Sequence, residues 1–146
     1  MREGISLLRS FGIGVAMALI WGTVSSLLRL DQIFPGSAGE QMFDRPMAVQ
    51  LILYGLVSPV LEEVLFRKFL FDLAVRILPQ RAAAVVVSAL FAVWHWVVIQ
   101  MLYAFPAGLI LQQLRTRSGT IQEPVCCHIG ANLTAILVTA LFPIIH

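Results

Sequence analysis

The chain of 146 residues is 59% hydrophobic and only 12% charged, with a mean hydropathy of +0.88. Soluble domains carry about 25% charged residues, so this composition excludes a soluble monomer and predicts one integral membrane domain over residues 1–146. A formal charge of +2 without a basic stripe excludes nucleic acid as a partner and leaves the lipid bilayer.

Ser10 to Leu28 holds 19 residues without a charge, enough to cross a hydrocarbon layer of about 30 Å. Arg2 and Arg9 precede it, as they would in a signal peptide. The run is long for that and no clear cleavage site follows, so a retained first helix is expected. Gly12, Gly14 and Gly22 in this helix permit close helix packing. Leu30 to Arg45 is polar, contains Pro and Gly, and reads as a loop.

A second apolar helix starts at Pro46 or Met47 and its pattern continues toward Leu78, before a turn at Pro79 and Arg81. Ala82 to Leu114 then runs 33 residues without a charge, about 50 Å as one helix and too long for a simple span. Pro106 is the natural break, giving a full helix from Ala82 to Tyr103 and a short one from Phe105 to Leu114. Arg115 to Gly119 reads as a polar turn, and a last helix runs from Pro124 to Ile145. The expected fold is all-α, a multi-pass transmembrane helical bundle of about five membrane segments, one of them short.

Counting cations by side orients the bundle. With the N-terminus cytoplasmic, Arg2, Arg9, Lys68, Arg76, Arg81, Arg115 and Arg117 lie inside and Arg29 and Arg45 outside, seven against two. The adjacent Cys126 and Cys127 sit in an apolar segment and read as small buried thiols.

Against this apolar background the ionisable residues stand out. Glu62 and Glu63 lie inside LILYGLVSPVLEEVLFRKFLFDL, His95 lies in FAVWHW, and His128 with Asn132 lies in HIGAN. A charge in a lipid-facing helix costs roughly 2.5–3.5 kcal/mol on insertion scales, so these groups are expected to serve a function. Glu63 lies 16 residues before Pro79 and His95 lies 16 after it, which makes them level if the two helices form an antiparallel hairpin.

Glu63 and Arg67 are four apart and share a helix face, which makes them an ion pair. Glu62 points about 100° away with no cation at that spacing, and a carboxylate left free in this way suits a general base. His128 and Asn132 are also four apart and could donate together to a developing oxyanion, while His95 could orient the water. Two His and one Glu could also hold zinc with an open position. No HExxH is present and the histidines fall on different helices, so no metal or other cofactor is expected. Ser58 and Ser88 have no partner visible in the sequence, and Trp94 and Trp96 read as core or interface aromatics.

At these residues the chain resembles the CAAX-protease and bacteriocin-processing family of intramembrane proteases, also called Abi or Rce1-like. The motif EExxxR appears as Glu62, Glu63 and Arg67, FxxxH as Phe91 and His95, and HxxxN as His128 and Asn132. The approach to the last motif, with Phe105, Gly108, Thr116, Gly119 and Pro124, is similar too, and the resemblance covers Val57 to Leu133 within a core of about 47–145. It implies a glutamate-dependent, metal-free endopeptidase that cuts near the membrane. Glu62 would activate water with His95 assisting, and His128 and Asn132 would support the oxyanion. Glu63, Arg67 and Phe91 would be supporting residues.

The implied partner is a protein or peptide with a hydrophobic or membrane-anchored segment, such as a C-terminal sorting tail. The implied location is the bacterial inner membrane. Glu123, acidic beside the last motif, reads as a solvated helix start or a contact for a basic substrate segment. The alternative is a non-catalytic binding or immunity protein of the same fold. A proton-coupled transporter would call for inverted repeats, and none is visible.

Overall fold

The computed structural model describes residues 2–34 and 45–141. The described residues are helical without strands, and the fold is an all-α bundle. Helix α1 is Arg2–Leu27, α2 is Met47–Ala74, α3 is Gln80–Trp94, α4 is Val98–Ser118 and α5 is Gln122–Leu141. A single helical turn, Leu30–Ile33, begins the segment expected as a loop, and the rest of that loop and the expected helix end at Ile145 lie outside the described residues.

Among the described residues, three helices are long and apolar enough to cross a membrane: Ser6–Leu27 within α1, all of α2, and α5. α1 and α5 run parallel in close contact. Gly14 lies against the Cys127 carbonyl and Gly130 against the Phe11 carbonyl, so closely that a Cβ at either position would collide with backbone. This is the small-residue packing that lets membrane helices approach. Of the three glycines expected to serve it, only Gly14 does; Gly12 and Gly22 face open space. At the N-terminal ends of both helices, Ser6 and Ser10 donate to the Glu123 carboxylate. Glu123 is thereby a cross-link between α1 and α5 rather than a freely solvated helix start, and it lies favourably in the first turn of α5.

α2 runs antiparallel to α5, with Gly55 packed on Leu133 and Ile136. Its hydrogen bonding is unusual. Gln50–Val57 and Val64–Leu70 are π-helical and flank the α-helical turn Ser58–Glu63. Pro59 falls inside the helix and has no N–H to give, and the widened turn before it accommodates that loss. α2 ends at Ala74 rather than near Leu78, because the chain tightens ahead of Pro79: the Arg76 and Ile77 amides return to the Leu73 and Ala74 carbonyls.

The largest departure from the sequence reading lies in α3 and α4. The helix does not break at Pro106, which sits inside α4 with its ring exposed. It breaks at His95–Val97, where Trp96 takes a left-handed φ of 58° and the Val97 amide returns to the His95 carbonyl at 2.8 Å. The short segment is therefore α3, with 15 residues and about 22 Å. α4 has 21 residues and continues through the expected polar turn to Ser118, ending on Gly119 at φ 72°. Gly108 packs on Ser88 and Phe91, so α3 and α4 form an antiparallel hairpin. Arg115 reaches back to Asp72 and to the Arg67 carbonyl, so the hairpin begins and ends level with the C-terminal end of α2.

Candidate active site

α2 supplies both glutamates, and its local geometry gives them different surroundings. Glu63 is 0% exposed and its Oε1 receives two partners: Arg67 Nη1 at 3.2 Å and His128 Nδ1 at 2.8 Å. Arg67, also 0% exposed, donates from Nη2 to the Gly108 carbonyl at 3.2 Å and stacks its guanidinium 4.2 Å from the Phe91 ring centre. A buried charge needs such compensation, and it is partial here: Glu63 Oε2 and Arg67 Nε have no hydrogen-bond partner among the described residues. The π-helical stretch Val64–Leu70, which carries Arg67, turns this side chain inward between α2 and α4.

Glu62 is 16% exposed and faces elsewhere. Ser58, one turn earlier on α2, donates to Glu62 Oε1 at 2.5 Å. The serine without an evident partner in the sequence therefore has one, and the glutamate read as partnerless is held at one oxygen. Glu62 Oε2 is buried without a hydrogen bond and lies 3.7 Å from His128 Nε2. His128 thus stands between the two carboxylates, one at each ring nitrogen. Its Nδ1–H is given to Glu63, so in the neutral ring Nε2 is an acceptor facing the acceptor Glu62 Oε2. A group that donates to both would complete the pair.

His95 stands at the C-terminal end of α3, and its Nδ1 lies 2.8 Å from the Phe91 carbonyl. A carbonyl only accepts, so Nδ1 carries the proton and Nε2 of the neutral ring is an acceptor. Phe91 is the packing centre of the site. Its ring meets His95 edge-to-face at 4.9 Å, His128 at 5.7 Å and Phe66 at 5.1 Å. Trp94 packs against Phe66, whereas Trp96 is 81% exposed and is not a core residue. Asn132 Nδ2 donates to the Tyr54 carbonyl at 2.9 Å, which leaves its second N–H free.

A cavity of 30 Å³ lies among α1, α3, α4 and α5, lined by His95, His128 and Asn132 together with Phe91, Tyr103 and Met17. It has room for about two water molecules. Glu62 and Glu63 are not among its lining residues; both meet it through His128. Tyr103 is the polar lining residue that sequence reasoning missed, and no motif marks it. The bundle therefore brings Glu62, Glu63, Arg67, Phe91, His95, His128 and Asn132 into one neighbourhood.

Among the described residues, no three His, Cys, Asp or Glu side chains are placed to hold a metal ion. Glu62 and Glu63 approach opposite nitrogens of the His128 imidazole. Cys127 is buried with its Sγ 3.9 Å from Met17 Sδ, and both cysteines are free thiols.

No curated protein and no solved structure matches this chain. A family model does: that of the Rce1-like type II CAAX prenyl endopeptidases covers residues 44–134, from just before α2 to the middle of α5. That stretch takes in every residue of the Glu62–His95–His128 neighbourhood and more than half of the chain, and the chain belongs to the Rce1-like family of type II CAAX prenyl endopeptidases.

Proposed function

We propose that the chain is an intramembrane endopeptidase that cleaves a peptide bond by water activated at Glu62. The single observation that carries this reading is the asymmetry of the glutamate pair. Glu63 is 0% exposed with one oxygen held by both Arg67 and His128, while Glu62 is 16% exposed with one oxygen held by Ser58 and the other beside His128; each glutamate keeps one oxygen without a hydrogen bond. A general base needs a lone pair within reach of water on an oriented group, and Glu62 is the more exposed of the two.

In this mechanism Glu62 Oε2 removes a proton from water as the water oxygen attacks the scissile carbonyl carbon. Electron density moves to the carbonyl oxygen, which enters the small cavity at His95, His128 and Asn132. The free N–H of Asn132 supports the oxyanion there, and His95 Nε2 accepts from the water and orients it. When the intermediate collapses, the C–N bond breaks and Glu62 returns its proton to the leaving amine. Glu63 and Arg67 hold His128 in place, and Phe91 supports both histidine rings. The mechanism uses no metal.

The membrane setting supports the same reading. α3 is too short to cross a bilayer of about 30 Å, and its end at His95–Val97 leaves irregular backbone level with the glutamates. Such backbone is tolerated at membrane depth only inside protein or against water, and a hydrolase needs water there. Arg9, Arg76, Arg81, Arg115 and Arg117 gather at one end of the bundle and Arg29 and Arg45 at the other, so the basic end is assigned to the cytoplasm, with the N-terminus. We assign residues 1–146 to one domain and propose a bacterial inner membrane as its setting.

The substrate is a protein or peptide bearing a hydrophobic or lipid-anchored tail, such as a C-terminal sorting tail. The detergent-purified protein is to be tested against prenylated, acylated and unmodified hydrophobic peptides. Turnover identifies the class, and a folded protein that cleaves none of them contradicts the reading.

A further inference from the structure

A second site lies away from the glutamates, on the α3–α4 hairpin at its basic end. A groove of 480 Å³ runs between the start of α3 and the last turns of α4. Gln80 and Arg81 form one rim and Gln113 and Thr116 the other, with Ala84, Leu109 and Ile110 as the apolar part of the lining.

Gln112 also lines this groove. It is 1% exposed, and neither its Oε1 nor its Nε2 has a hydrogen-bond partner. One turn deeper along the same seam, Ser88 Oγ is likewise buried without a partner, beside Gly108. Buried polar groups are almost always satisfied, and an orphaned amide carries a desolvation penalty. A donor and an acceptor left open at the floor of a groove call for a ligand that brings both.

We infer that this groove binds the headgroup of an anionic membrane phospholipid whose phosphate is followed by a hydroxyl-bearing group, as in a phosphatidylglycerol. The phosphate oxygens would accept from the Arg81 guanidinium, whose planar fork suits phosphate, and from Gln112 Nε2. The headgroup hydroxyl would donate to Gln112 Oε1. Ala84, Leu109 and Ile110 would meet the start of an acyl chain. The location fits, because Arg76, Arg81, Arg115 and Arg117 crowd this end of the bundle, where basic residues meet anionic headgroups. The inference does not depend on the protease mechanism, since the groove shares no lining residue with the cavity at His95 and His128.

The test is thermal unfolding of the full chain in nanodiscs of phosphatidylcholine alone or with phosphatidylglycerol, and in phosphatidylcholine with inorganic phosphate. The wild type is expected to gain about 4 °C in Tm with phosphatidylglycerol, the order of shift a bound ligand gives a chain of this size. Arg81→Gln is expected to lose that gain. Gln112→Leu is expected to raise Tm in phosphatidylcholine and to respond less to phosphatidylglycerol. Arg117→Gln removes a cation from the same end but outside the groove, and it is expected to keep the full gain.

Equal Tm in both lipids overturns the inference, as does full retention of the gain in Arg81→Gln. Equal loss in Arg81→Gln and Arg117→Gln assigns the effect to general surface charge and also overturns it. A gain with inorganic phosphate alone overturns the lipid as the source.

Discussion

Ser58 and Glu62 lie one helical turn apart on α2, and the serine hydroxyl donates to one carboxylate oxygen at 2.5 Å while the other oxygen is buried without a partner. One hydrogen bond thereby fixes which oxygen is free to react. Ser58→Ala removes that anchor and leaves the fold intact. A hydrogen bond to a charged group contributes about 1.5–3 kcal/mol. kcat is expected to fall about tenfold or more, with KM little changed, and Ser58→Thr is expected to restore most of it. Steady-state kinetics on the three proteins checks this.

Arg67 is held by Glu63, the Gly108 carbonyl and the Phe91 ring at once. Arg67→Met keeps much of the volume and strands the Glu63 charge inside the bundle. Breaking a buried pair in this way costs about 3–5 kcal/mol. Thermal unfolding in detergent is expected to show a large loss of stability, and Glu63→Gln combined with Arg67→Met is expected to recover part of it.

The seam between α1 and α5 depends on one glycine of the three in α1. Gly14→Ala sets a Cβ against the Cys127 carbonyl and is expected to cost about 1–3 kcal/mol, as overpacking does. Gly12→Ala faces open space and is expected to stay within about 0.5 kcal/mol of wild type. Unfolding midpoints of the two variants in the same detergent distinguish them.

The polar motifs and their depth were legible because few residues other than ionisable ones interrupt the apolar helices. Glu63 and Arg67 at four-residue spacing announce their own contact, and the symmetric distances of Glu63 and His95 from Pro79 place them level, as the Phe66–Phe91 and Phe66–Trp94 contacts bear out. What was not legible is equally specific. The break at His95–Val97 carries no Gly or Pro, because Trp96 itself adopts the left-handed conformation that larger residues rarely take. Pro106 misled because a membrane helix tolerates an exposed proline. The two π-helical stretches change which side chains share a face, and no periodicity in the sequence marks them. Phe91 was read as one letter of a motif, yet its contacts with Arg67 and His128 exist only once three helices meet.

The two carboxylates sit on opposite edges of His128, so no metal bridges them in the proposed mechanism. Chelators are expected to leave turnover unchanged, measured before and after treatment with EDTA or phenanthroline. Loss of activity that returns with zinc contradicts this part of the account.

The most direct measurement is turnover of a cleaved hydrophobic-tailed peptide by wild type and Glu62→Gln, with folding checked by thermal unfolding. The substitution keeps the shape of the side chain and removes the base. The account predicts a loss of at least about a hundredfold in kcat, the lower end of what general base catalysis contributes, with Tm near wild type. Turnover in Glu62→Gln equal to wild type contradicts it.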